Sequence, residues 1–230
     1  DHVSLDDFSD NNNDNENEPD DLSDPKWLAG CDATSWNSQE CNDGEFDPDD
    51  GNGHGTHVAG IALGTGDSRR VNQGYAPGSY LVDVKVMTDS GGSAGGDEGP
   101  IIKGLQWVLQ NVNTDWGNND SSEGIDVMTM SFGSGSSPVG ENDQGDDGNN
   151  SAARLVNNCA DAGIVPIAAI GNDGSNRVTS VGAADSSITV GAIDDKNTIQ
   201  RNDDIIASYS NSGPRVDDND ENKWDELKPD

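Results

Sequence analysis

The chain has 230 residues, with 44 Asp and Glu against 12 Lys and Arg, for a formal net charge of −32. That acidity argues against nucleic acid and anionic membranes as partners, because phosphate binding needs clustered Lys and Arg. No apolar run approaches the roughly 18 residues of a membrane-spanning helix.

The charge is unevenly spread. Residues 54–210 hold 20 acids, 8 bases and 32 of the 40 Leu, Ile, Val and Phe residues, so a foldable core lies between acidic ends. Self-repulsion at this net charge is relieved by salt, since roughly 1 M salt shortens the Debye length to about 3 Å. Acids dominated by Asp (35 Asp, 9 Glu), beside scarce Lys and Arg, fit the hydrated surface of a salt-adapted protein.

In chain order, residues 9–24 are rich in Asn, Asp and Glu without periodicity and read as an exposed loop. Residues 25–53 place Trp27, Leu28, Trp36 and Phe46 among turn formers and read as an irregular, anchored insertion. Cys31 and Cys41 lie in that stretch, and whether they form a disulfide depends on export. Regular patterning begins at residue 54. His54–Leu63 has apolar residues at helical spacing, and Tyr80–Met87 alternates as a strand. After a Gly/Ser-rich loop over 88–99, Ile101–Val112 carries a helical apolar stripe. Ile125–Ser131 reads as a strand, 133–150 as a loop, and Ala152–Ala162 as a helix closed by Gly163. Cys159 on its apolar face is expected to be a buried free thiol. Ile164–Ile170, Ile188–Ile193 and Ile205–Tyr209 read as strands. Pro166 lacks a ladder donor and favours a strand start or a bulge.

Strands separated by helices predict βαβ units and a parallel sheet covered on both faces. In such sheets chemistry sits at the carboxyl ends of the strands. Ser131-Phe132-Gly133 and Gly171-Asn172-Asp173-Gly174 fall at two such ends.

The octet Gly53-His54-Gly55-Thr56-His57-Val58-Ala59-Gly60 holds two of the chain's three histidines. Their i,i+3 spacing lacks the i,i+4 pair and Glu base of a helical zinc site, which sets a metal pair aside. Two acidic clusters, Asp43, Asp47, Asp49 and Asp50, and Asp143, Asp146 and Asp147, fit no EF-hand spacing. Metal ligands therefore stay unassigned.

Gly53–Gly60 resembles the histidine motif of the subtilisin-like serine proteases. Asp126–Gly133 resembles the strand lining their substrate cleft, and Ala168–Gly174 their oxyanion-hole segment. Gly74–Gly78, Val84–Met87 and Thr189–Ala192 fit the linking framework in the same order. Ala207–Pro214 matches the segment before the nucleophile region. The resemblance covers about residues 50–214 and rests on the ordered set. It implies a serine endopeptidase acting through an acyl-enzyme. His54 would be the general base and Asn172 a side-chain donor to the oxyanion. Ser131, Phe132 and Gly133 would pair with substrate backbone and form one wall of the specificity pocket. Ala169, Ile170 and Gly171 would form the other wall, with Phe132 and Ile170 as an apolar rim. The glycine loop 91–96 would be a second backbone rail, and His57 would pack beneath its helix. The family commonly holds structural Ca²⁺, which is expected here without assigned ligands; the chemistry itself needs no cofactor. The acidity points to the haloarchaeal secreted branch.

Two departures matter. No Asp-Ser/Thr-Gly motif precedes the histidine motif, where the family carries its aspartate, and Gly-Thr-Ser-Met-Ala is absent from the 230 residues. His2-Val3-Ser4-Leu5 resembles the segment just after the catalytic aspartate, and Lys228-Pro229-Asp230 the run ahead of the nucleophile helix. The chain is therefore expected to be an internal piece, inactive alone, of an active parent. Asp6 and Asp7 are only fallback candidates for the triad aspartate.

The expected fold is α/β, three-layer α/β/α with a mostly parallel sheet, incomplete at both ends. It forms one partial peptidase domain, with an acidic insertion region over 1–53, a core over 54–214 and an acidic tail over 215–230. Polypeptide substrates, a monomer and a secreted location are expected. Two alternatives are a non-catalytic subtilase-like protein and an acidic, cation-binding extracellular module.

Overall fold

A computed structural model of the chain describes residues 27–34, 41, 50–66, 71–88, 98–117, 124–133, 145–217, 219 and 227–230. Outside them lie Asp6, Asp7, loop 9–24, Trp36, Phe46, Asp43, Asp47, Asp49, Asp143 and the glycine loop 91–96. The chain divides into two compact units, residues 1–107 with 113–124, and residues 108–112 with 125–230.

In the first unit, β1 (Trp27–Asp32) pairs in parallel with β2 (Leu81–Lys85). The sequence reading had placed Trp27–Asp32 in an irregular insertion. Ala29, Gly30 and Cys31 are all buried, so the strand shows no alternation, and its small residues carry little strand propensity. Cys31 is bonded to Cys41, which settles the open disulfide. A crosslink over ten residues stabilises by about 2–3 kcal/mol through loop closure.

The same unit holds α1 (His54–Leu63) and residues 99–107 of α2 (Gly99–Gln110). α1 buries Thr56 and Leu63, seven residues apart on one face. His57, expected beneath the helix, is exposed because it lies off that stripe. The last carbonyls of α1 are satisfied from outside: the amides of Tyr75, Ala76 and Gly74 donate to Ile61, Ala62 and Gly64.

In the second unit, β3 (Val127–Met130), β4 (Val165–Ala169) and β5 (Ile188–Val190) form an all-parallel sheet with β4 central. α3 (Ser151–Asp161) connects β3 to β4 and packs on β4. It starts where the Asn150 side chain accepts from the Ala153 amide, 2.8 Å away, and it buries Ala152, Ala153, Val156 and Cys159. The chain leaves α3 through Gly163, with the Ile164 amide donating back to Cys159. Cys159 is a buried thiol outside any disulfide, as expected, and burial pushes its pKa up to about 11.

Pro166 is the second residue of β4. The Val165 amide points to β3, where it donates to Asp126, so position 166 faces the β5 side. Pairing with β5 begins only at Ile167, and the missing donor costs no ladder bond. The stretch Ile188–Ile193, read as one strand, breaks at Gly191-Ala192. Its end, β6 (Ile193–Asp194), instead pairs antiparallel with β7 (Ile205–Ile206). Parallel sheets and connecting helices place both units in the α/β class.

Candidate active site

The carboxyl ends of β3, β4 and β5 enclose a cleft of about 310 Å³. Residues 129–131, 167–169 and 190–192 line it, with Gly171 and Asn172. No charged side chain is among them, and the lining is mostly apolar. Its size lies at the small end of pockets that take small molecules or single side chains. Asn172 is exposed at the cleft, and its side chain makes no hydrogen bond among the described residues. Ser131, Ala169, Gly171 and Asn172 are thus brought to one place.

Three other residues assigned from sequence stand apart from that lining. Ile170 is 1% exposed and packs with Val178 and Ala183, so its side chain belongs to the core and forms no rim. Its backbone is also occupied: the amide donates to Val190 and the carbonyl accepts from Thr179. Phe132 is half-buried outside the lining. Gly133 lies directly against Thr179, where a Cβ would meet the Thr179 Cβ at 2.4 Å. Thr179, missed from sequence, donates its hydroxyl to the Ala169 carbonyl (2.7 Å) and so ties β4 to the end of β3.

His54 is the first residue of α1, in the first unit, and it is exposed. Its helix has no side-chain cap at Gly53. Asp50 supplies one from outside. Its Oδ1 accepts from the Gly53 and Asn52 amides (2.8 and 3.2 Å), and its Oδ2 from the Thr56 amide and hydroxyl (both 2.8 Å). Burial raises the Asp50 pKa, but these bonds outweigh it and hold the carboxyl below its ordinary range. A carboxylate so committed does not fit the role of a cation ligand. Nor do three or more His, Cys, Asp or Glu side chains converge on a metal site among the described residues. Asp32, an acid at the end of a parallel strand, is likewise engaged locally, its Oδ1 accepting from the Thr34 amide and hydroxyl.

A depressed folded-state pKa contributes stability above the unfolded pKa and loses it as pH falls through the folded value. Asp50→Ala is therefore expected to cost about 1 kcal/mol near neutrality. The gap to the parent should close in acid, as followed by chemical denaturation at pH 7 and at pH 3 or below. A gap that persists in acid would mean that Asp50 acts by packing.

The family model described as the subtilase family matches residues 4–227. The chain belongs to the subtilase family. Among curated relatives, it is 38% identical over 173 residues to serine protease AprX of Bacillus subtilis (strain 168), covering 74% of this chain and 36% of that protein. It is 36% identical over 172 residues to subtilisin of Bacillus pumilus, covering 73% of this chain and 50% of that protein. The chain thus spans a third to a half of these subtilases. Among solved structures, sphericase aligns with a TM-score of 0.56 at 25% identity, over 80% of this chain and 52% of its own. A cold-adapted subtilisin-like serine proteinase aligns at 0.53 and 26% identity, over 90% and 57%. These likenesses and the parallel sheets flanked by helices agree on a subtilisin-like α/β fold. No described helix is long and apolar enough to cross a membrane.

Proposed function

We propose that the full-length subtilase is a serine endopeptidase that cleaves polypeptides through an acyl-enzyme. One observation carries this reading: an uncharged cleft at the carboxyl ends of three parallel strands, with the Asn172 carboxamide, unbonded among the described residues, at its edge. In the reaction, a serine hydroxyl adds to the scissile carbonyl while His54 takes its proton. The resulting oxyanion accepts from Asn172. Collapse breaks the C–N bond as His54 returns the proton to the leaving amine, and water repeats the sequence on the ester. None of the 230 residues is assigned as the serine or the aspartate of the triad. The apolar lining favours an uncharged side chain in the specificity pocket.

Asn172→Ala in the full-length protein is expected to lower kcat by about 10²–10³ with KM little changed. A kcat equal to the parent's, with peptide as substrate, would remove Asn172 from the mechanism.

The net charge of −32 supports a protein working in concentrated salt, and the Cys31–Cys41 disulfide supports an exported one. The melting temperature should climb steadily as KCl rises from millimolar to molar concentration. A flat curve would reject the salt adaptation.

A further inference from the structure

Asn172 sits in a tight turn, and a second asparagine holds that turn from behind. Asn211 is 3% exposed. Its backbone amide donates to the Gly171 carbonyl (3.0 Å). Its side-chain Oδ1 accepts from the Asp173 amide (2.8 Å) and the Ser175 amide (3.2 Å). A longer contact, 3.5 Å, runs from its Nδ2 to the Ile170 carbonyl. The residues immediately before and after Asn172 are thus both bonded to this one side chain or its own amide. Neighbours complete the clamp: the Gly174 amide donates to Tyr209, and the Ser212 amide to Ser175.

The fit leaves no slack. Gly171 has φ +119, and a Cβ there would lie 2.3 Å from Asn211 Nδ2. Only glycine allows both the backbone angle and the approach. The backbone on either side of Asn172 is therefore fixed, while the Asn172 side chain makes no hydrogen bond among the described residues and stays available at the cleft. A donor acts on a developing charge in proportion to how little it must reorganise, which is what such a clamp provides.

We infer that Asn211 is a positioning residue for the oxyanion donor Asn172, an assignment that rests on the proposed endopeptidase reading. The side-chain oxygen of Asn211 sets the turn by accepting the Asp173 and Ser175 amides; it touches no substrate. Its loss lets the carboxamide of Asn172 drift, and a displacement of the order of 1 Å in a catalytic group suffices for a large rate loss.

The test is a double-mutant cycle in the full-length protein at saturating salt, with active sites titrated. Asn211→Ala is expected to lower kcat about tenfold, with KM little changed. In an Asn172→Ala background the same substitution should have little further effect on kcat, because the donor it positions is gone. An equal loss in both backgrounds would show general damage to the fold and overturn the inference. A harmless Asn211→Ala beside a damaging Asn172→Ala would overturn it alone, leaving the endopeptidase reading intact. A harmless Asn172→Ala would remove Asn172 from the mechanism and overturn the inference with it. Should Asn211→Ala fail to fold, hydrogen exchange over residues 171–176 of the unmodified protein still decides. Slow exchange of the Asp173 and Ser175 amides supports the clamp, and exchange at the rate of an open loop refutes it.

Discussion

His54→Ala is expected to lower kcat of the full-length protein by about 10⁴, the largest activity loss among substitutions within the 230 residues. A serine hydroxyl is a weak nucleophile unless a base takes its proton as the bond forms, and the leaving amine departs only when protonated. One imidazole serves both steps, so its removal slows acylation twice. Its placement follows from local structure. Gly53 ends the preceding loop in a left-handed conformation, and His54 is the first helical residue. Asp50 fastens the first turn through Thr56, which is buried, so the backbone beneath the imidazole is fixed without the ring being enclosed. The ring makes no hydrogen bond among the described residues and remains available to a substrate and a nucleophile. His57→Ala is the companion variant. His57 is one turn on and exposed, and it should keep most of the parent's activity. If His57→Ala abolished turnover and His54→Ala did not, the two roles would be reversed and the proposed mechanism with them.

The sequence made some of this legible and hid the rest for identifiable reasons. α3 and β4 announced themselves because each keeps one period: Ala152, Val156 and Cys159 recur at helical spacing, and β4 is a short apolar run ended by glycine. The cleft was legible because chemistry in parallel sheets gathers at carboxyl ends, and Ser131 and Asn172 were already at such ends. β1 was hidden because Ala29, Gly30 and Cys31 are small and buried together, which erases the alternation that marks a strand. The β6–β7 hairpin was hidden because Ile193 is separated from its hydrophobic run only by Gly191-Ala192, a break without a proline or an Asn-Gly turn. Ile170 was misplaced for a different reason. A motif match assigns a stretch to a wall as a unit, whereas packing is decided residue by residue, and Ile170 turns into the core between the cleft-lining Ala169 and Gly171. Asn211 and Thr179 carried no signal at all. Both are small polar residues outside the segments that carry the assigned chemistry, and their importance comes from partners 30 or more positions away in one case (Asp173 and Ser175) and ten in the other (Ala169).

The largest stability effect is expected at Arg215, and its size turns on which of its bonds matter. The residue is 2% exposed, among the most deeply buried large side chains described. Nη1 donates to the carbonyls of Asp147 (2.9 Å) and Ala183 (2.7 Å), and Nη2 pairs with Asp185 Oδ1 at 2.8 Å. The loop at 146–148 is shaped around it: a Cβ on Gly148 would fall 1.8 Å from Nη1. Asp185, by contrast, is 46% exposed at its side chain and can return to water. The ion pair should therefore contribute little, because a half-exposed partner is screened, and Asp185→Asn is expected to cost under about 1 kcal/mol. The Ala183 carbonyl is buried and cannot resolvate. Arg215→Ala leaves that carbonyl unpaired beside a buried cavity and removes the bond to Asp147, and is expected to cost about 3–5 kcal/mol. Arg215→Lys keeps a charge but loses the fork, and should fall between the two. Denaturant midpoints of the three variants in molar KCl separate the contributions, since salt at that level suppresses the pair and spares buried hydrogen bonds. Equal losses for Arg215→Ala and Asp185→Asn would show that the pair, not the carbonyl clamp, holds the segment. That segment also carries Asn211, four residues earlier. Arg215→Ala should therefore lower kcat as well, even under conditions where the protein stays folded, through the same turn that presents Asn172 to the cleft.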